Sequence, residues 1–143
     1  VARTRAVSRI TRSEMVALID QLNPQPLPPF AEISFQKIEP GKAPEYTALL
    51  GKYWKPVHEE RSKRGLLKGW QRFAIRYPQG TERDYGQITI SFFDKFAHLE
   101  TQYPPDVLAK VLPGVNVTEI TQQTNATRKT VRVQLLRLVD HVE

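Results

Sequence analysis

The residues best suited to chemistry in this chain are a histidine one turn beyond a tryptophan, with a proline between them. In Tyr53-Trp54-Lys55-Pro56-Val57-His58, an imidazole with an unperturbed pKa near neutrality can give or take a proton, or orient a ligand carbonyl. His58 is therefore the candidate catalytic residue, and Tyr53 and Trp54 are candidate ligand contacts beside it. A structural role competes with the catalytic one. Pro56 has no N–H to give, so one carbonyl of the preceding turn is freed, and His58 could satisfy it. Further along, Gly69-Trp70-Gln71-Arg72-Phe73 puts Trp70 and Arg72 on one face of a strand. Together they could hold a planar or anionic ligand by stacking and a charged hydrogen bond; an interface tryptophan beside a structural ion pair is the alternative. Tyr85, in the loop after Glu82-Arg83-Asp84, either closes a pocket or covers the core. Glu59 and Glu60 are expected to face solvent, Glu59 pairing with Lys63 one turn on. His98 and His141 have no partner pattern.

Other chemistries lack their residues. The chain has no cysteine, which removes disulfides, thiolate metal sites and a Cys nucleophile. There is no HExxH, facial triad or paired-carboxylate spacing, so no metal is expected. The glycines are scattered singly rather than gathered in a phosphate loop, and no serine nucleophile elbow is present. No cofactor is expected.

The elements that must position these side chains are legible from punctuation and periodicity. Asn23-Pro24-Gln25-Pro26-Leu27-Pro28-Pro29 reads as an extended linker, because so many prolines suit neither a helix nor a central strand. The organisation is then an N-terminal arm (1–22), a linker (23–30) and a domain (31–143). Residues 31–38 alternate like a strand. Ala43 to about Leu66 carries Tyr46, Leu49, Leu50, Tyr53, Trp54, Val57 and Arg61 on one stripe, a helix with a buried face that Gly65 can terminate. Strands follow at 70–77 and 87–93. Short helices are expected from Asp94 to Leu99 and at 107–112, a longer one at 115–127, and a last strand at 130–139. The order is β-α-β-β-α-β, an α+β, ferredoxin-like antiparallel sheet with helices on one face.

The strand faces differ. Ile33, Phe35, Phe73, Ile75, Ile88, Ile90 and Phe92 fall on one side; Glu32, Ser34, Gln36, Trp70, Arg72, Thr89 and Ser91 fall on the other. The apolar side is expected to take the helices. The other, polar but hardly charged, is expected to meet a second sheet or solvent.

The net charge of +6 comes largely from Arg3, Arg5, Arg9 and Arg12, and Arg61, Lys63, Arg64 and Lys68 cluster at the end of a helix, where cations offset its dipole. Basic residues are not interleaved with exposed aromatics along a strand, so nucleic acid is not expected as a partner. No run is apolar enough to span a bilayer, and Val1-Ala2-Arg3-Thr4-Arg5 is not a signal peptide. The arm itself has two readings. One is a helix at 13–22 capped by Ser13. The other is a strand repeating the last one: Ala126, Arg132, Leu138 and Asp140 overlie Ala6, Arg12, Leu18 and Asp20 at one common offset, as if the chain began with the tail of a preceding copy.

The run Pro40-Gly41-Lys42, Glu45-Tyr46, Trp54-Lys55-Pro56-Val57-His58-Glu59-Glu60-Arg61, Gly65, Lys68-Gly69-Trp70, Arg76-Tyr77-Pro78, Gly80-Thr81 and Tyr85, with the closing Leu138-Val139-Asp140, resembles an uncharacterised bacterial family of the dimeric α/β barrel superfamily, which includes antibiotic-biosynthesis monooxygenase-like proteins. The resemblance implies a ferredoxin-like protomer whose sheet packs on a second sheet, in a homodimer or with a tandem-repeat partner. Members are often exported, which would make this an exported or periplasmic chain without its leader. Three functions follow. The first is a small-molecule-binding barrel that holds an apolar or aromatic ligand between the Trp54/His58 helix and the sheet. The second is a cofactor-independent monooxygenase- or isomerase-like enzyme using His58 for proton transfer, and the third is a structural association subunit. Tyr53, Trp54, His58, Trp70, Arg72 and Tyr85 are the expected ligand contacts.

Overall fold

In a computed structural model, residues 9–22 and 28–140 are described. The arm's first eight residues, most of the linker and His141 lie outside them. The strands are β1 (Met15–Leu22), β2 (Phe30–Ile38), β3 (Gly69–Tyr77), β4 (Gln87–Phe93) and β5 (Arg128–Arg137). Between β2 and β3 run α1 (Ala43–Leu49), a π-helical turn (Leu50–Trp54) and α2 (Lys55–Lys63); between β4 and β5 run α3 (Ala97–Glu100), α4 (Pro105–Val111) and α5 (Val117–Thr127). The architecture is α+β, with one five-stranded sheet in the order β1-β3-β4-β2-β5. Every neighbouring pair is antiparallel.

Residues 15–22 are a strand rather than the helix that Ser13 would cap. They pair with β3 from Met15 opposite Tyr77 to Leu22 opposite Trp70. The arm is therefore an edge of the same sheet, and β5 is the opposite edge. Gly41 and Gly65 stop the chain in left-handed turns, at φ 76° and 73°, conformations that a Cβ disfavours.

The expected long helix is present but interrupted. Pro56 cannot donate to the carbonyl four residues back, and its ring crowds that carbonyl. The turn before it is widened instead: Lys55 N–H reaches back to Leu50 O, one residue further than in an α-helix. Tyr46, Leu49, Leu50 and Val57 are buried on the resulting stripe.

The two sheet faces are covered the other way round from the sequence expectation. The helices lie over the polar side. Arg72 on β3 donates to Thr47 of α1 at 3.2 Å, and Lys55 of α2 reaches Asp20 of β1 at 2.6 Å. Ser34, Gln36, Thr89 and Ser91 face the same cavity as Tyr46, Trp54 and Thr124 from the helices. The apolar side carries a cluster of strand and loop residues only: Phe35, Ile75 and Tyr85, with Ile33 and Ile88 packed against it. The sequence reading assumed that helices dry whatever face they cover. Here they stand off the sheet and leave a polar space between, while their own apolar side chains pack at its margins. One such margin is Val57, Val107 and Leu112; the other is Leu67, Trp70 and Phe93.

Candidate functional site

Between helices and sheet lies a cavity of about 350 Å³, within the size range of pockets for small organic molecules. Its sheet wall is the polar face of β2, β3 and β4. Its helix wall is set by the stripe of α1, the π-turn and α2, which presents Tyr46, Leu50, Trp54 and His58 in succession. The widened turn ends at Trp54 and so fixes where the indole and the imidazole after it stand relative to Tyr46.

Four aromatic rings form a continuous lining. Trp54 and Tyr103 meet edge to face at 5.6 Å, Tyr103 and His58 lie 6.2 Å apart, and His58 tilts against Trp70 at 5.4 Å. The Trp54 indole N–H donates to Thr124 Oγ1 on α5 at 2.8 Å, and that hydroxyl in turn donates to the Ile120 carbonyl. The indole is thus tethered across the cavity by an established chain of donors, which leaves its ring as wall.

His58 is 5% exposed. Its Nδ1 lies 3.2 Å from Arg61 Nη1. A guanidinium has no acceptor, so Arg61 donates, Nδ1 accepts, and the imidazole proton sits on Nε2. Burial, and then the positive charge of Arg61, push the His58 pKa down to about 3. At neutral pH the ring is neutral and offers one N–H. The freed-carbonyl role suggested by Pro56 would use the Nε2–H; the bond the ring is seen to make is at Nδ1, with Arg61.

Arg61 is 1% exposed. Its guanidinium lies 5.0 Å from the Tyr103 ring centre and 5.8 Å from that of Phe93. Glu60, expected at the surface, is buried and accepts from Arg64 at 2.8 Å and Lys110 at 2.7 Å. Those bonds hold its carboxyl below the usual range. It anchors α2 to α4, and Arg64 also bonds Asp106 at the start of α4. Two neighbouring buried charged residues therefore differ: Glu60 is fully paired and Arg61 is not.

Of the residues expected to contact ligand, Trp54, His58 and Trp70 meet at the cavity. Arg72 is 5% exposed just behind it, its guanidinium 5.8 Å from the ring centre of the lining Tyr46. Tyr53 does not line the cavity; it packs in the apolar cluster with Val57 and Val107. Tyr85 lies across the sheet, 4.7 Å from the Phe35 ring, its hydroxyl donating to Glu14 at 2.8 Å. Sequence reasoning missed Tyr46, Tyr103 and Arg128 as lining residues. Tyr46 was on the helix stripe, but only as packing; Tyr103 sits in a loop before Pro104-Pro105, with no periodic signal.

No family model matches this chain, and no curated protein or solved structure matches it either. The chemistry is therefore read from the cavity. Among the described residues no three His, Asp or Glu side chains group as a metal site, and no helix is long and apolar enough to cross a membrane. The arrangement offers aromatic surface, one neutral N–H donor from His58, hydroxyls and amides from the sheet, and the guanidinium of Arg128.

Proposed function

We propose that this chain is a small-molecule-binding protein whose ligand occupies the cavity between the Trp54/His58 helix and the sheet. One observation carries the reading: Trp54, His58 and Tyr103, joined by Trp70 from the sheet, form a continuous aromatic lining beside polar strand residues in a cavity of about 350 Å³. Helices that served only to dry the sheet would rest on its apolar face, as in most two-layer domains. Proton transfer by His58, as in an isomerase- or oxygenase-like enzyme, is the weaker reading, because its basic nitrogen is engaged by Arg61 and its pKa is depressed to about 3.

The order β3-β4-β2-β5 with helical crossovers supports a ferredoxin-like protomer extended by β1 at one edge. The apolar face supports the dimeric α/β barrel expected from the resemblance, now with the faces exchanged: the apolar sheet meets its partner and the polar sheet meets the helices. Val16, Leu18 and Leu136 on that face are 42%, 47% and 48% exposed, continuing the Phe35–Ile75 cluster to both edges, and a second copy would bury them. An association subunit without a ligand would use the same face but would have no need of the cavity.

The test is a thermal-shift screen of small planar organic compounds, followed by mass spectrometry of whatever co-purifies. A ligand at a hundred times its Kd adds about 2.7 kcal/mol, which raises Tm by several degrees. Trp54→Ala should abolish the shift. If no compound raises Tm and nothing co-purifies, the binding reading falls and association remains.

A further inference from the structure

We infer that the ligand is an aromatic carboxylic acid, its carboxylate held by Arg128 beside Tyr46 in the cavity wall; this rests on the binding reading above. Among the described residues, the buried side-chain nitrogens and oxygens lacking any hydrogen-bond partner are Arg61 Nε and Nη2, Arg72 Nε, Arg128 Nε and Gln87 Oε1. All but the last belong to three arginines set around this one cavity. Arg128 lines it. Arg72 and Arg128 lie 5.8 and 5.9 Å from the centre of the same Tyr46 ring. Arg61 is reached through its contacts with His58 and Tyr103, both lining residues.

A buried guanidinium is ordinarily matched to a carboxylate, because its planar fork presents paired donors and its charge is costly to leave alone. None of these three has a carboxylate within ion-pair distance, whereas Lys55 on α2, Arg64 at its end and Lys110 on α4 all do. The partners present are neutral: Gln36 Oε1 and Thr130 Oγ1 for Arg128, Thr47 Oγ1 for Arg72, and His58 for Arg61. The one carboxylate on the cavity wall, Glu32, accepts from Gln102 at 2.9 Å. The lining itself carries one cation, Arg128, and one carboxylate, Glu32; Arg61 and Arg72 lie behind the wall and add positive charge around it, and Arg128 keeps a donor that no hydrogen bond uses. An incoming carboxylate supplies the missing acceptor and the missing charge. The aromatic wall and the apolar residues Leu50, Leu108 and Val117 fit a ring attached to it.

The chain has two tryptophans, and both line the cavity, so the two indole N–H resonances of the ¹⁵N-labelled protein report on its occupancy. We would titrate 2-naphthoate and, separately, its neutral methyl ester. The expected result is that both shift the indole resonances, the acid binding at least ~10-fold more tightly than the ester, as one charge-assisted pair is worth about that factor. Arg128→Gln should bring the acid's affinity down to that of the ester, and the wild-type comparison decides the matter even if that variant folds poorly. An ester that binds as tightly as the acid overturns the carboxylate inference and leaves the cavity a site for neutral ligands. An acid that shifts only resonances remote from the indoles also overturns it. If neither compound moves an indole, the carboxylate inference falls, and the thermal-shift screen decides the binding reading separately.

Discussion

The two faces of one sheet carry opposite solutions to the same problem. On the side bare of helices, Ile33, Phe35, Ile75 and Ile88 make an apolar cluster with Tyr85 and Arg132 over it, and Val16, Leu18 and Leu136 toward the sheet edges stay exposed. On the helix side, Ser34, Gln36, Arg72, Thr89 and Ser91 are roofed over, and the apolar packing is pushed to the two ends of the roof. A sheet buries its apolar face wherever association allows, and it tolerates a covered polar face only where that face borders something polar. On the function proposed above, the faces have separate jobs: the bare side would meet a second protein surface, and the roofed side would hold a ligand.

The strongest way to break this comparison is to attack the margins of the roof. Phe93 is fully buried beside Leu67 and Trp70, so Phe93→Ala should cost about 3–5 kcal/mol of unfolding free energy, measured by urea denaturation. A loss of under about 1 kcal/mol would mean that the roof is not part of the folding core and that the cavity is a loose gap.

A charge placed on the bare side should leave the fold and remove association. Ile90 sits in the middle of that face, opposite Ile33 on β2 and Gln71 on β3. Ile90→Lys should retain the far-ultraviolet spectrum of the wild type while weakening self-association at least ~100-fold, about 3 kcal/mol, read by sedimentation equilibrium. A wild type that stays monomeric at high concentration, or a variant that still dimerises, would deprive the bare face of the role given to it.

Element positions were largely legible in the sequence, because period-two alternation and a helical stripe are local properties. The strands at 69–77 and 87–93 and the helix begun at Ala43 follow their patterns closely. Which face the helices would choose was not legible, since it depends on how far they stand from the sheet, and that distance is a property of the whole roof. The sign of the exception was present: Arg61 occupied an otherwise apolar stripe, and a buried cation there points to polar surroundings. Pro56 was visible too, but not the π-turn it imposes. Trp54, His58 and Trp70 came together because they sit on adjacent elements facing one space. Tyr53 did not, since one residue before Trp54 is about 100° around a helix.

The smallest of these effects separates the roofed side from the bare one by its response to acid. His58 titrates at about 3 in the folded chain against an ordinary 6.5. Between those values the unfolded chain binds a proton that the folded chain refuses, so the stabilisation is fully present above pH 6.5 and falls as the pH drops toward 3. The slope for this one group is about 1.4 kcal/mol per pH unit across roughly pH 6 to 4. His58→Asn can still accept from Arg61 but does not titrate, and its unfolding free energy should fall less steeply than the wild type's by that amount over the same window. The carboxylates of Glu60, Asp94 and Asp106, each held below its usual range, also lose stabilisation as they protonate, but they do so in both proteins and cancel in the comparison. Parallel curves would mean that His58 has an ordinary pKa in the folded state. Its Nδ1 would then be free to take a proton near neutral pH, and the balance on the roofed side would move from binding back toward catalysis.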